Sequence, residues 1–158
     1  APALLLWALE QGLSLRFIEQ MPLDPQHSWD RDRMVTADEI MATLLGAGFA
    51  LNEAPGRGSA PAQRWLVNGG PQTVGIIASV TRPFCADCDR VRLTSDGQWR
   101  SCLFARTETD LRTPLRDGAT DAELATLMRL DVTGKKPGHG VDQPGFVQPD
   151  RPMSAIGG

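Results

Sequence analysis

The amino-acid sequence predicts an α/β fold with a small, mainly antiparallel sheet, and three observations carry the prediction. An apolar, helix-like stretch at residues 3–9 runs through Gly12, suited to a helix C-cap, into an alternating strand at 13–21. Thr36 with Glu39, and Thr120 with Glu123, each form a capping box ahead of apolar residues at helical spacing. Runs at 64–67, 73–80 and 91–102 combine β-branched and apolar residues with turn residues, as paired strands do. With 158 residues, 41% hydrophobic and 22% charged, the chain is ordinary for a globular domain with its own core. A net charge of −3 argues against broad nucleic-acid binding, so any cationic function must be local. The opening apolar run is too short to span a bilayer and has no basic flank, so neither a transmembrane helix nor a signal peptide is expected. The chain reads as cytoplasmic, where thiols stay reduced. Without an initiating Met, and with Leu4, Leu5, Leu6, Trp7 and Leu9 resembling a helix entering a strand, it also reads as a segment of a longer protein.

Along the first strand, Leu13, Leu15, Phe17 and Glu19 share one face and Ser14, Arg16, Ile18 and Gln20 the other, and Pro22 ends it. Arg16 and Glu19 are equally consistent with buried ion pairs and with ligand contacts. Residues 22–33, rich in Pro and Asp, form a loop; His27 and Trp29 within it could line a site, but a lone His in a polar loop is more often just exposed. A helix follows from Thr36 to Gly46 and Gly48, then a short strand at 49–53 and a Gly/Pro-rich connection at 54–62. The five residues 68–72 link two strands as a hairpin. Beyond the 91–102 hairpin, residues 111–116 form a short helix and Leu124, Leu127, Met128 and Leu130 mark a longer one. From residue 133 onward the sequence has abundant Gly and Pro without periodicity, and reads as a tail that is either disordered or docked.

The chemistry is concentrated in residues 84–103, FCADCDRVRLTSDGQWRSCL, which hold all three cysteines and three arginines. Cys85 and Cys88 form a C-x2-C knuckle, and Cys102 follows after thirteen residues. The turn signal Ser95-Asp96-Gly97 makes residues 91–102 a hairpin that returns Cys102 towards the knuckle. Three thiolates are one short of a closed tetrahedral zinc site or a four-cysteine cluster. Two metal readings stay open, zinc closed by His139 or His27 as a structural Cys3His site, or a [4Fe–4S] cluster with one iron lacking a protein ligand; free buried thiols or a redox pair are the competing reading. A disulfide is disfavoured by the odd cysteine count. Arg90 and Arg92 alternate with Val91, so on a strand both guanidiniums face one side, a fork suited to phosphate or carboxylate oxygens; the competing reading is a solvated strand edge.

The motifs RFIEQMPLD, GIIASVTRPFCADCDRVRLTSDGQWRSCLF, DLRTPLRDG, KKPGHG and MSAIGG resemble the C-terminal half of the MoaA family, the radical S-adenosylmethionine GTP 3′,8-cyclases (lyases) of molybdenum cofactor biosynthesis. The resemblance runs over nearly the whole chain. Asp89 departs from it, standing where Asn is usual.

The resemblance implies the last part of an incomplete (β/α)6 TIM-type barrel in residues 1–48. It implies an α+β cluster-binding domain with an antiparallel sheet in 49–132, and an extended tail ending in Gly-Gly in 133–158. It implies a radical, generated from S-adenosylmethionine at an N-terminal cluster, that abstracts hydrogen from the ribose C3′ of GTP on the way to 3′,8-cyclo-7,8-dihydro-GTP. By carry-over, Cys85, Cys88 and Cys102 hold a second [4Fe–4S] cluster whose open iron meets guanine. Arg90, Val91 and Arg92 contact GTP, Met21 contacts S-adenosylmethionine, Arg16 lies near the active site, and Gly157 and Gly158 insert towards it. The C-x3-C-x2-C motif of the first cluster is absent from these 158 residues, so the chain alone is not expected to make the radical. The resemblance also brings in cyclic pyranopterin monophosphate synthase as the downstream enzyme and a homodimer as a reasonable assembly.

Overall fold

Alternation in the first strand sets the core. Leu15 and Phe17 pair with Val74 and Ile76 on one face of a sheet, and that face packs on two helices. The structure is a computed structural model and describes residues 1–136, 138–141 and 143–156. It divides into two units: residues 1–21 with 30–88, and residues 22–29 with 89–158.

In the first unit, α1 (Pro2–Glu10) ends where Gly12 takes a positive φ of 67°, and the chain enters β1 (Leu15–Ile18). Next comes α2 (Ala37–Gly46), opened by the expected capping box in which Thr36 and Glu39 satisfy each other's amides. The strands β2 (Leu51–Glu53), β3 (Gln63–Val67) and β4 (Thr73–Ile77) complete a mixed sheet in the order β1-β4-β3-β2, with β1 parallel to β4 and the other pairs antiparallel. Leu5, Ile40, Leu44, Phe49, Val67, Val74 and Ile76 form the core beneath it. The sequence places β3 and β4 in one antiparallel sheet with the later hairpin. Instead they join β1 here, and the hairpin builds a second sheet. The first strand is also shorter than the expected 13–21: its ladder stops at Ile18, and Glu19 turns its side chain to another task.

The Glu19 carboxylate is 1% exposed. It accepts the Ala37 amide at the start of α2 (2.8 Å), the amides of Val80 (2.8 Å) and Thr81 (2.9 Å), and the Thr81 hydroxyl (2.6 Å). One side chain thereby joins the end of β1, the N-terminus of α2 and the segment leaving β4. Burial pushes its carboxyl pKa up, but the hydrogen bonds from Thr81, Ala37 and Val80 outweigh it and hold the pKa below the usual glutamate value.

In the second unit, β5 (Arg92–Leu93), β6 (Gln98–Arg100) and β7 (Thr109–Asp110) form an antiparallel sheet. The expected hairpin is β5–β6. Gly97 turns it at a φ of 82°, where a Cβ would lie 2.6 Å from that of Arg112, so glycine is required by both conformation and space. Two residues long, β7 gives no alternation by which a sequence reading would find it. The helices α3 (Arg112–Arg116) and α4 (Asp121–Thr133) follow as expected, the second behind the Thr120/Glu123 capping box. The tail is docked: Val141, Pro149 and Ile156 are buried, the Met153 amide donates to the Leu23 carbonyl at 3.0 Å, and the Gln148 side-chain amide donates to the Asp24 carbonyl at 2.7 Å. Among the described residues no helix is long and apolar enough to cross a membrane.

Replacing Glu19 with Gln sets an NH2 group among donors, and should lower stability at pH 7 by roughly 3 kcal/mol in urea denaturation. The native carboxylate titrates below its unfolded-chain value of about 4.3. Its contribution is therefore present above that pH and lost as pH falls through the folded value. The stability gap between native and Glu19→Gln chains should narrow on acidification.

Candidate functional site

The C-x2-C knuckle is built by a tight turn. After β4 the chain enters a 3-10 turn at Cys85–Asp87, with the Asp87 amide donating to the Phe84 carbonyl (3.3 Å) and the Cys88 amide to the Cys85 carbonyl (3.2 Å). A 3-10 turn sets residues i and i+3 over one another, so the local fold brings Cys85 and Cys88 to one side. Upstream, Val80 and Thr81 are fixed by Glu19, and the Arg57 guanidinium lies 5.5 Å from the centre of the Phe84 ring.

Cys102 belongs to the second unit, on a loop at 101–105 that wraps a buried guanidinium. Arg100, 2% exposed, donates through Nη2 to the carbonyls of Leu103 and Ala105 and through Nη1 to the Glu108 carboxylate. The Ala105 amide closes the loop on the Cys102 carbonyl at 3.1 Å, and the Phe104 amide donates to Cys102 Sγ at 3.4 Å. Arg92 stands opposite Arg100 in the β5–β6 ladder. Burial, and then the charges of Arg90 and Arg100, lower the Arg92 pKa, while negative charge on the Cys102 sulfur raises it. A guanidinium at this place draws in anions.

Arg90 and Val91 precede the strand and are exposed, so the expected alternation of Arg90 and Arg92 on one strand face does not form. The Arg90 carbonyl accepts Lys135 Nζ at 2.8 Å, and the ladder begins only at Arg92. Cys102 lines a cavity of about 650 Å³ in the second unit, together with Phe104, Arg106, Lys135, Lys136 and His139. The His139 ring lies 4.2 Å from that of Phe104, and its Nδ1 accepts the Val141 amide at 3.1 Å, which engages that nitrogen's lone pair. His27 is exposed on the loop at 22–29. Arg16 projects from β1 over Gly75, where a Cβ would meet its side chain at 3.0 Å. Met21 is half-buried just beyond β1. Gly157 and Gly158 lie outside the described residues.

The donors suit an iron–sulfur or zinc centre. All three cysteines are half-buried thiols, sulfur is a soft ligand, and an amide hydrogen bond to a ligating sulfur is a recognised means of tuning a cluster. The donor set is divided, with Cys85 and Cys88 in the first unit and Cys102 in the second. Among the described residues, neither unit by itself gathers three or more His, Cys, Asp or Glu that could hold a metal ion.

Sequence reasoning did not link Arg100, Glu108, Asp96 and Arg151. Arg100 Nη1 and Arg151 Nε (3.1 Å) both reach Glu108 Oε1, and Arg151 also clamps both Asp96 oxygens at 3.1 and 2.7 Å. The Arg151 hydrogen bond, then that of Thr94, holds the Asp96 carboxyl far below the usual range. No local pattern links residues 96, 100, 108 and 151. Glu19 did carry a signal, an acidic side chain on the apolar face of its strand.

Fold and site thus define a mixed α/β protein with a thiol knuckle and an arginine-flanked third thiol. The family model described as Molybdenum Cofactor Synthesis C matches residues 13–141, and the chain belongs to that family. It is similar to proteins named GTP 3′,8-cyclase: 63% identical over 160 residues in Streptomyces coelicolor and 58% over 160 residues in Rhodococcus opacus, in both cases across 100% of this chain. A further match, in Corynebacterium glutamicum, is 58% identical across 96% of the chain. The chain spans about half the length of these curated relatives, 47%, 45% and 42% respectively.

Replacing Glu108 with Gln leaves the buried Arg100 charge uncompensated. It should destabilise the second unit by about 3 kcal/mol, measured as a shift in urea midpoint at constant m.

Proposed function

We propose that this chain works as the C-terminal, substrate-holding part of a GTP 3′,8-cyclase in molybdenum cofactor biosynthesis, a cytoplasmic radical S-adenosylmethionine enzyme. The observation that carries the proposal is identity of 63% over the whole chain to a protein of that name, together with three half-buried thiols and an arginine beside one of them.

In this reading Cys85, Cys88 and Cys102 would hold a [4Fe–4S] cluster, which when bound offers an iron without a protein ligand to a donor atom of the substrate. The role of the chain itself is binding and orientation. Arg90 and Arg92 would take phosphate oxygens of GTP, with Val91 between them. Arg16, within β1, and Met21, beyond its end, would face S-adenosylmethionine as part of an incomplete (β/α)6 barrel completed by residues outside this chain. Gly157 and Gly158 would approach the substrate where a side chain would clash. Holding the GTP ribose in one orientation against the reacting carbon is the contribution these residues make to rate. Residues 1–48, 49–132 and 133–158 would then serve as barrel edge, cluster-binding domain and tail, in a homodimer whose product passes to cyclic pyranopterin monophosphate synthase.

The alternative is zinc closed by His139 or His27 as a structural Cys3His site. Metal analysis after anaerobic reconstitution separates the two: the cluster predicts about four irons and four sulfides per chain. Tightly bound zinc without sulfide would reject it. In a full-length cyclase carrying this segment, Cys102→Ala should abolish GTP cyclisation, and unchanged turnover would remove the assignment.

A further inference from the structure

We propose that Arg151 is a positioning residue that couples the seating of residues 148–156 to the shape of the Cys102 loop. The coupling runs through one carboxylate oxygen, Glu108 Oε1, which accepts a hydrogen bond from Arg100 Nη1 and forms an ion pair with Arg151 Nε at 3.1 Å. Each end of this chain of contacts is structurally committed. At one end, Arg100 holds the carbonyls of Leu103 and Ala105, and with them the backbone on which Cys102 sits. At the other, Arg151 is tied to Asp96 in the β5–β6 turn, and its neighbours Gln148 and Met153 are tied to the carbonyls of Asp24 and Leu23.

Charge makes the arrangement interdependent. Arg100 is 3% exposed and Glu108 19%, so the shared carboxylate must neutralise a buried guanidinium. Arg151 supplies the second cation that holds that carboxylate in place, and Asp96 balances Arg151. Two cations and two carboxylates form a neutral set that is complete only while the tail is seated. When Arg151 leaves, Glu108 is free to turn towards solvent, Arg100 loses its fixed counter-charge, and the carbonyls at 103 and 105 lose a rigid donor. The Cys102 sulfur, held by the Phe104 amide within that loop, then becomes more accessible. The consequence for a bound cluster rests on the function proposed above; the coupling does not.

The test uses the metal-free full chain, so that a failure of the cluster assignment, read from iron and sulfide content, cannot be mistaken for a failure of the coupling. Alkylation by iodoacetamide is followed by mass spectrometry at each cysteine, beside amide hydrogen exchange across residues 143–156. In Arg151→Gln, exchange in the tail should rise and Cys102 should alkylate about fivefold faster, while Cys85 and Cys88, which belong to the first unit, keep their rates. Arg151→Lys keeps the charge but not the fork, and should fall between native and Gln. A loosened tail with an unchanged Cys102 rate would overturn the coupling. So would an equal rise at all three cysteines, which reports general loosening, or no change in either measurement.

Discussion

The Glu19 carboxylate, 1% exposed and holding four donors, is the interaction on which the first unit depends. A buried carboxylate without donors would be strongly disfavoured, and the buried amides of Ala37 and Val80 without an acceptor equally so. Each satisfies the other in one place, which fixes where α2 begins relative to β1 and how the chain leaves β4. The knuckle turn begins only four residues after Thr81, so the placement of Cys85 and Cys88 follows from that junction. A charge inside the core thus carries geometric information that the surrounding apolar contacts, being non-directional, do not.

The second unit meets the same requirement with arginine. Arg100 is buried in a hairpin too short to hold its own loop, and it organises residues 101–105 by donating to carbonyls that the two- and three-residue strands leave unpaired. Beside the apolar burial of Val141, Pro149 and Ile156, ionic contacts with fixed directions add definition to the short strands and the tail. That Arg151 reaches back to the same carboxylate explains how a tail without periodicity is nevertheless ordered.

Much of this was legible in the sequence. Both capping boxes appear where Thr36/Glu39 and Thr120/Glu123 place them, because an N-cap is a local interaction between residues three apart. Ser95-Asp96-Gly97 turns the β5–β6 hairpin for the same local reason. What escaped is non-local. Parallel pairing of β1 with β4 joins residues about sixty apart, and the Arg100–Glu108–Arg151 contacts join three segments with no spacing rule. The site divides in the same way: Cys85 and Cys88 are local and readable as a pair, and Arg92 next to Cys102 follows from the hairpin. The ladder starts at Arg92 rather than Arg90, and the Arg90 carbonyl just before it accepts from Lys135, forty-five residues away.

The central claim is that three thiols from this chain hold one cluster with an iron open to the nucleotide. The chain contains only three cysteines, so a single cluster is the most it could ligate, and its spectrum would be free of overlap from a second. Electron paramagnetic resonance of the reduced, reconstituted chain with and without GTP tests the claim most directly. The account predicts a [4Fe–4S] signal that shifts when GTP is added. A sample with no cluster signal and stoichiometric zinc, or a cluster signal indifferent to saturating GTP, would contradict it.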